Sequence, residues 1–137
     1  MYLLSLFAPR QKSHFRIDKM DTFVLLADFD EIKLSDESYK LCDIESLKRF
    51  LKYNYTDRRI YKKVKHDCDD FSFILQGDVT RWDSDLCFGV AWVHTPDDQY
   101  HAMNIAIALD YQVVLIEPQT DEIIYNLTGY ELDFVMI

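Results

Sequence analysis

The sequence predicts a single α+β domain in which N-terminal helices pack on a C-terminal antiparallel sheet. The chain has 137 residues, which suits one domain with a buried core. Apolar residues recur at helical spacing near residues 43–54 and after residue 67, whereas short apolar runs separated by turn residues follow residue 85. Helices followed by strands are typical of the α+β class. No linker rich in Gly, Pro or Ser divides residues 1–137, so one domain is expected.

The first half, residues 1–65, is expected to be helical. Residues 22–29 form a short apolar run that periodicity assigns neither to a strand nor to a buried helical turn, and both alternatives stay open. Residues 43–54 are clearer: Asp43 is a helix cap, and Leu47 and Phe50 recur at helical spacing. This pattern predicts an amphipathic helix of about three turns.

The second half, residues 66–137, is expected to begin with a helix near Cys68. Asp67 is the candidate N-cap, and Asp69 and Asp70 fall in the first turn, where the helix dipole favours acidic side chains. Gly77 is expected to end this helix.

Four strands are expected after this helix, each bounded by turn residues. Short loops between them favour an antiparallel meander. The predicted strands are residues 86–93, 101–109, 113–116 and 123–127.

Composition and charge exclude several classes of protein. With 49% hydrophobic residues and only three Gly and three Pro, the chain is not disordered or of low complexity. Its net charge of −9 argues against nucleic-acid binding. No apolar run is long enough for a membrane span. The apolar start has no basic region before it, and three cysteines do not form a disulfide framework, so a reduced, cytoplasmic protein is expected.

The charge is divided unequally between the two halves. Residues 1–65 hold 14 basic and 10 acidic residues, a net of +4, whereas residues 66–137 hold one base, Arg81, and 14 acids, a net of −13. One interpretation is that two halves of one domain attract each other. The other is that the acidic half attracts a divalent cation or a basic peptide.

Cys68, His101 and Glu117 form a candidate catalytic set. A thiol at a helix start has a lowered pKa, although the neighbouring aspartates act in the opposite direction, and a half-buried structural cysteine is the alternative. His101 begins one predicted strand and Glu117 ends the next, so antiparallel neighbours bring the carboxylate to the imidazole. Nucleophile, base and orienting acid in this order suit cysteine-dependent acyl transfer.

Three segments around these residues carry a resemblance. They are His66-Asp-Cys-Asp-Asp-Phe71, His101-Ala-Met-Asn104 and Val114-Leu-Ile-Glu-Pro-Gln-Thr120. Together they resemble the catalytic domain of fungal chimerolectins of the Marasmius oreades agglutinin type, a calcium-activated papain-like cysteine protease. The resemblance implies a compact papain-like fold with Cys68 as nucleophile, His101 as general base and Glu117 as the orienting acid.

Further residues near this set are candidates for binding. Gln119 and Asn104 flank the proposed base and acid and are candidate substrate or oxyanion contacts, although Gln119 also suits a turn after Pro118. The chemistry itself requires no cofactor, but the resemblance implies calcium. Asp69 and Asp70, or the pair in Asp83-Ser-Asp85, supply the oxygen ligands that calcium prefers, and solvated loop acids are the alternative.

Two classes of function follow from these residues. The leading hypothesis is a cysteine hydrolase acting on a peptide or protein substrate, and the same residues serve transglutaminase-like or amidase chemistry. The alternative is a non-catalytic or weakly catalytic binding module on a papain-like scaffold, since residues 59–67 contain no glutamine for an oxyanion hole. The basic run at Lys62, Lys63 and Lys65 is either solvated or a patch for an acidic partner.

Overall fold

The protein contains one large sheet, one two-stranded ribbon and three helices among the residues described, which are 15–54 and 67–137 of the computed structural model. The basic run and the apolar start of the chain lie outside these ranges. The strands are β1 (Arg16–Asp18), β2 (Glu31–Lys33), β3 (Ser38–Lys40), β4 (Phe88–His94), β5 (Tyr100–Ile107), β6 (Val113–Glu117), β7 (Glu122–Ile124) and β8 (Glu131–Met136), and the helices are α1 (Lys19–Leu25), α2 (Ile44–Tyr53) and α3 (Cys68–Trp82).

The large sheet joins both halves of the sequence. Its strand order is β2–β8–β4–β5–β6–β7, and β1 pairs with β3 to form the ribbon. Strands β4 to β7 are antiparallel neighbours, which confirms the predicted meander. Strand β8 returns to pair with β4, and β2 then pairs with β8 in parallel. The sheet is therefore mixed rather than purely antiparallel, because β2, which comes from the first half of the chain, pairs in parallel with β8.

The predicted fold class is wrong in its balance of elements. Strands and isolated β-bridges together hold 37% of the described residues and helices 29%, so the protein is dominated by its sheet and is not a set of helices packed on one. The predicted helical half contains three short strands as well as α1 and α2. Strands of three residues leave no measurable alternation in the sequence, which is why periodicity did not reveal them.

Two apolar clusters cover opposite faces of the sheet. On the first, which we call the α1 face, Met103 and Leu115 pack with Leu26 from the turn after α1. On the second, the α3 face, Ala106 and Ile116 pack with residues of α2 and α3. Because both faces are covered, β5 and β6 are buried on consecutive residues rather than on every second one.

Helix α2 follows the prediction closely. The Asp43 carboxylate accepts a hydrogen bond from the backbone N–H of Glu45 at 3.2 Å, which caps the helix. Leu47, Phe50 and Leu51 are buried along one face. The structure also decides between the two alternatives for residues 22–29 in favour of a helix. Helix α1 begins at Lys19 after the Asp18 cap and ends at Leu25.

Helix α3 begins where the sequence predicts but ends later. Asp67 is the N-cap, and its backbone N–H donates to the Asp70 carboxylate at 3.3 Å. The helix continues through Gly77 to Trp82, so the predicted stop is wrong. Val79 and Trp82 are buried beyond Gly77, and their packing outweighs the cost of about 1 kcal/mol for a helical glycine.

Two ion pairs join the basic first half to the acidic second half. The Arg16 guanidinium donates to both oxygens of Asp85, and these hydrogen bonds hold the pKa of the Asp85 carboxyl below its usual value. Lys40 donates to Asp83 at 2.8 Å. These two contacts therefore support the interpretation that the two halves attract each other.

Candidate functional site

His101 and Glu117 are brought together by the pairing of β5 with β6. The register places Asn104 opposite Ile116, so the second residue of β5 lies near the last residue of β6. The His101 Nε2 atom contacts the Glu117 Oε2 atom, and both side chains are mostly buried. The second Glu117 oxygen accepts a hydrogen bond from the backbone N–H of Gln119 at 3.0 Å. Both oxygen atoms of the Glu117 carboxylate are therefore engaged.

Cys68 lies at the first residue of α3 and is partly exposed. Among the described residues, no hydrogen bond joins its thiol to His101. The alternation of β5 places His101 on the α1 face with Met103, whereas α3 covers the opposite face. The structure therefore joins the predicted base to the predicted acid but does not place the thiol in contact with them. The three-residue set stays a prediction.

Asn104 connects α3 to the sheet. Its amide nitrogen donates to the carbonyl oxygens of Ser72 on α3 at 3.0 Å and of Gly89 on β4 at 3.1 Å. The side chain is completely buried, so in this conformation it positions α3 rather than facing solvent. Gln119 lies in the turn that follows β6, where the backbone N–H of Asp121 donates to the Glu117 carbonyl at 2.8 Å. The roles of Asn104 and Gln119 toward a ligand stay predictions.

The aspartates considered for calcium fall into two separate places. Asp67, Asp69 and Asp70 offer carboxylate oxygens within 4.8 Å of one another at the start of α3. Asp83 and Asp85 follow the other end of α3, where they pair with Lys40 and Arg16. Calcium therefore stays a prediction for the first group alone.

The three cysteines differ sharply in their access to solvent. Cys42 and Cys87 are completely buried, and burial raises the pKa of both thiols, that of Cys87 to about 12. We expect iodoacetamide near neutral pH to label Cys68 in the folded protein while the other two react only after unfolding. Peptide mapping by mass spectrometry after timed labelling measures the three rates. Equal rates for Cys42 and Cys68 would contradict this packing.

An open groove of about 710 Å³ lies at the start of β8. Its floor and walls come from the start of β8, from the loop before it and from the turn between α1 and β2. We call it the Tyr125–Asp133 groove. Its lining residues are Asp28, Asp30, Tyr125, Leu127, Thr128, Tyr130, Glu131, Leu132 and Asp133.

Backbone hydrogen bonds hold the groove walls in place. The Asp30 N–H donates to the Leu132 carbonyl at 3.1 Å, which fixes the α1–β2 turn against β8. The Tyr130 N–H donates to the Leu127 carbonyl at 3.1 Å. Between them, Gly129 has a φ of 87°, a conformation that favours glycine, and a Cβ there would lie 3.3 Å from Pro96. The loop before β8 therefore has a fixed conformation and forms one wall of the groove.

The groove is rich in negative charge. Four carboxylates line it, and they are Asp28, Asp30, Glu131 and Asp133. Burial raises the pKa of Tyr130, with further contributions from Glu122, Glu117 and Asp97. His94 lies at the edge of the groove with its Nδ1 atom 3.1 Å from the Asp133 carboxylate.

Sequence reasoning missed this groove. The segment Tyr125-Asn-Leu-Thr-Gly-Tyr-Glu-Leu-Asp133 mixes aromatic and acidic residues around a glycine, and Asp28-Phe-Asp30 has a similar character. Nothing in the sequence shows that these segments, about 100 residues apart, meet in space. The two tyrosines and the paired acids were the available signal.

Comparisons with known proteins give a likeness in fold only. No family model matches the sequence, and no curated protein matches it. Among solved structures, a PSL1a–E64 complex shares the fold with a TM-score of 0.78 and 19% identity over 89% of this chain and 50% of that chain. The Polyporus squamosus lectin bound to the human-type influenza-binding epitope Neu5Aca2-6Galb1-4GlcNAc gives 0.76 and 18% over 89% and 49%.

The fold neighbours correct the identity expected from the sequence. One of them is named as a lectin, and this contradicts the predicted papain-like cysteine protease and the resemblance to an agglutinin's catalytic domain. The same finding contradicts the predicted hydrolase activity and the enzyme assignment. This chain spans about half the length of the lectin chains that it matches. In the part of the chain that the structure describes, no helix is long and apolar enough to cross a membrane.

Proposed function

We propose that this chain is a glycan-binding module that holds its ligand in the Tyr125–Asp133 groove. The observation that carries the proposal is the combination, in one groove, of tyrosine rings with several carboxylates. Support comes from the shared fold with a lectin that is described as bound to a sialylated trisaccharide. The alternative of a binding module, which the sequence left open, suits this combination.

The tyrosines provide apolar surface for a sugar ring. Tyr125 is 43% exposed at the mouth of the groove, and Tyr130 is partly buried in its wall. A pyranose ring has one face composed of C–H groups, which packs against an aromatic ring. Tyrosine has few rotatable bonds, so little conformational entropy is lost on binding.

The carboxylates provide acceptors for sugar hydroxyls. Asp28 and Asp30 are exposed on one wall, and Glu131 and Asp133 lie on the other. Hydrogen bonds from a hydroxyl to a charged oxygen are stronger than those between neutral groups. Each bond replaces one to water, so its net contribution is small, and the expected dissociation constant for a short oligosaccharide is about 0.1–1 mM.

Replacing Tyr125 by alanine is expected to weaken oligosaccharide binding about tenfold, because the platform for the sugar ring is lost. Isothermal titration calorimetry with a panel of neutral, amino and sialylated oligosaccharides measures this change. Tyr53→Ala is the matched control, since Tyr53 is 46% exposed at the end of α2 and lies outside the groove. Equal weakening by both substitutions, or no binding of any oligosaccharide to the unchanged protein, would reject the proposal.

A further inference from the structure

We propose that an aromatic shelf on the α3 face binds a basic segment of a partner protein that carries apolar side chains. The shelf consists of Phe73, Trp92, Phe134 and Met136, none of which lines the Tyr125–Asp133 groove. This surface is therefore separate from the site of the proposed function. The unequal charge of the two halves of the chain is consistent with a basic partner, and the shelf offers a surface for one.

Helix α3 covers only part of its side of the sheet. It packs chiefly on β5 and β4, whereas β8 and β2 continue the sheet beyond β4. Phe88 belongs to the cluster beneath α3, so the alternation of β4 places Trp92 on the same face. The register sets Phe134 opposite Trp92, and Met136 follows two residues later in β8. The shelf is therefore the strip of the α3 face that lies beside the helix.

Aromatic rings of the shelf are open to solvent. The Trp92 ring stacks on Phe134 with centroids 5.3 Å apart, and Phe73 of α3 meets Trp92 edge-on at 5.9 Å. Phe73 is 45% exposed, while Trp92 and Phe134 are partly exposed. Beside them the His94 ring contacts Tyr100, which is 60% exposed. Contiguous apolar surface of this kind is typical of protein interaction sites, where aromatic residues are enriched.

Carboxylates border the shelf on several sides. Asp69 precedes Phe73 by one helical turn and so lies on the same side of α3. Glu31 lies opposite Phe134 in the sheet and is exposed. Glu131 begins β8 and is also exposed. An approaching partner therefore meets negative charge around an apolar centre.

Positive charge near the shelf offsets only part of this field. Lys33 ends β2 at the border of the shelf. Arg81 pairs with Asp78 on α3, and a proton on His94 would be compensated by Asp133, 3.1 Å away. The net charge around the shelf is therefore negative, which attracts a basic partner and repels an acidic one.

Arginine and leucine side chains match the two properties of this surface. A guanidinium group stacks on the face of an aromatic ring such as Trp92 and also pairs with carboxylates. A leucine side chain gains free energy by covering exposed apolar area. A segment that alternates these residues uses both the rings and the bordering acids.

Three short peptides test the proposal by calorimetry and tryptophan fluorescence. The first alternates arginine and leucine, the second has serine in place of leucine, and the third has glutamate in place of arginine. We expect the first to bind with a dissociation constant of about 0.1–1 mM, and the other two at least about tenfold more weakly. Binding should change the fluorescence of Trp92, because the other tryptophan, Trp82, is 4% exposed and lies in the core.

Two substitutions with matched controls locate the site. Phe73→Ala should weaken binding of the arginine–leucine peptide about tenfold, whereas Tyr53→Ala, which removes a ring that is 46% exposed at the end of α2, should leave it unchanged. Asp69→Asn should weaken binding about threefold, whereas Glu37→Gln, which removes a highly exposed acid beside Lys19, should leave it unchanged.

Several outcomes would overturn the proposal. Equal binding of the leucine and serine peptides would show that the net charge of −9 alone attracts the partner. Equal binding of the glutamate peptide, or no binding of the arginine–leucine peptide at millimolar concentration, would show that the shelf does not select a basic partner. Dimers that sedimentation detects and that Phe73→Ala abolishes would make the shelf an interface between copies of this chain. A response of Trp92 to oligosaccharides but not to the peptide would make it a sugar-binding surface.

Discussion

Replacing Gly89 by alanine is expected to destabilise the protein by at least about 3 kcal/mol, because the added methyl group has no space. A Cβ at this position would lie 2.2 Å from the Met136 carbonyl oxygen and 2.6 Å from the Ile137 side chain. The carbonyl belongs to the backbone at the end of β8, which pairs with β4 through Val90 and Met136. Relief of the clash therefore requires two central strands to separate.

The measurement is urea denaturation followed by circular dichroism, with Gly77→Ala as the control. The Cβ of an alanine at Gly77 would meet nothing nearer than the end of the Arg81 side chain at 4.0 Å. Since Gly77 lies inside α3, the control should gain about 0.5–1 kcal/mol from helix propensity. If the Gly89 and Gly77 variants unfold at the same urea concentration, the contact between β4 and the end of β8 is incorrect.

Replacing Phe50 by alanine is expected to cost about 3–5 kcal/mol. Phe50 is completely buried on α2, and its ring stacks on Trp82 of α3 with centroids 4.6 Å apart. The same cluster holds Leu75 of α3 and Ile116 of β6, so the substitution opens a cavity where both helices meet the sheet. Loss of the Phe50 ring also changes the environment of Trp82, one of the two tryptophans of the chain, and so its near-ultraviolet circular dichroism.

Thermal unfolding and near-ultraviolet circular dichroism measure this effect. Tyr53→Ala, one turn further along α2, removes a side chain that is 46% exposed and should cost less than about 1 kcal/mol. A Phe50 variant as stable as this control would show that α2 does not pack on α3 as described.

Helices α2 and α3 and strands β4 to β7 were predictable because their signals are local. Asp43 and Asp67 cap helices whose apolar residues recur at helical spacing, and α2 and α3 begin at these positions. Strands β4 to β7 are separated by short turns such as Thr95-Pro-Asp-Asp-Gln99, and adjacent strands with short turns pair with each other. Local rules were enough for these elements.

The short strands of the first half and the mixed sheet were not predictable by the same rules. Strand β2 has three residues and pairs in parallel with β8, with Glu31 opposite Phe134, more than 100 residues away. A contact of this range depends on the closure of the whole chain rather than on a pattern within a segment. The prediction that Gly77 ends α3 failed for a related reason. The packing of Trp82 in the core stabilises the helix beyond the glycine, which is a weak local signal for a helix end.

The two candidate sites also differ in how far apart in the sequence their residues lie. The contact between His101 and Glu117 followed from two adjacent strands, which the sequence placed correctly. The groove needs Asp28 and Asp133 on facing walls, and no segment contains both. The assignment to a cysteine protease used residue types in the right order, and residue types in order do not by themselves specify a function.

The proposed binding of a glycan in the Tyr125–Asp133 groove is tested most directly by NMR titrations of ¹⁵N-labelled protein with the neutral, amino and sialylated oligosaccharides of the panel. We expect progressive shifts in the backbone amides that line the groove, chiefly Asp30, Thr128, Tyr130 and Glu131. We expect no matching shifts at Cys68 or in α2, which lie outside the groove lining. Shifts centred on Cys68 and His101, or no shifts at millimolar ligand, would contradict it.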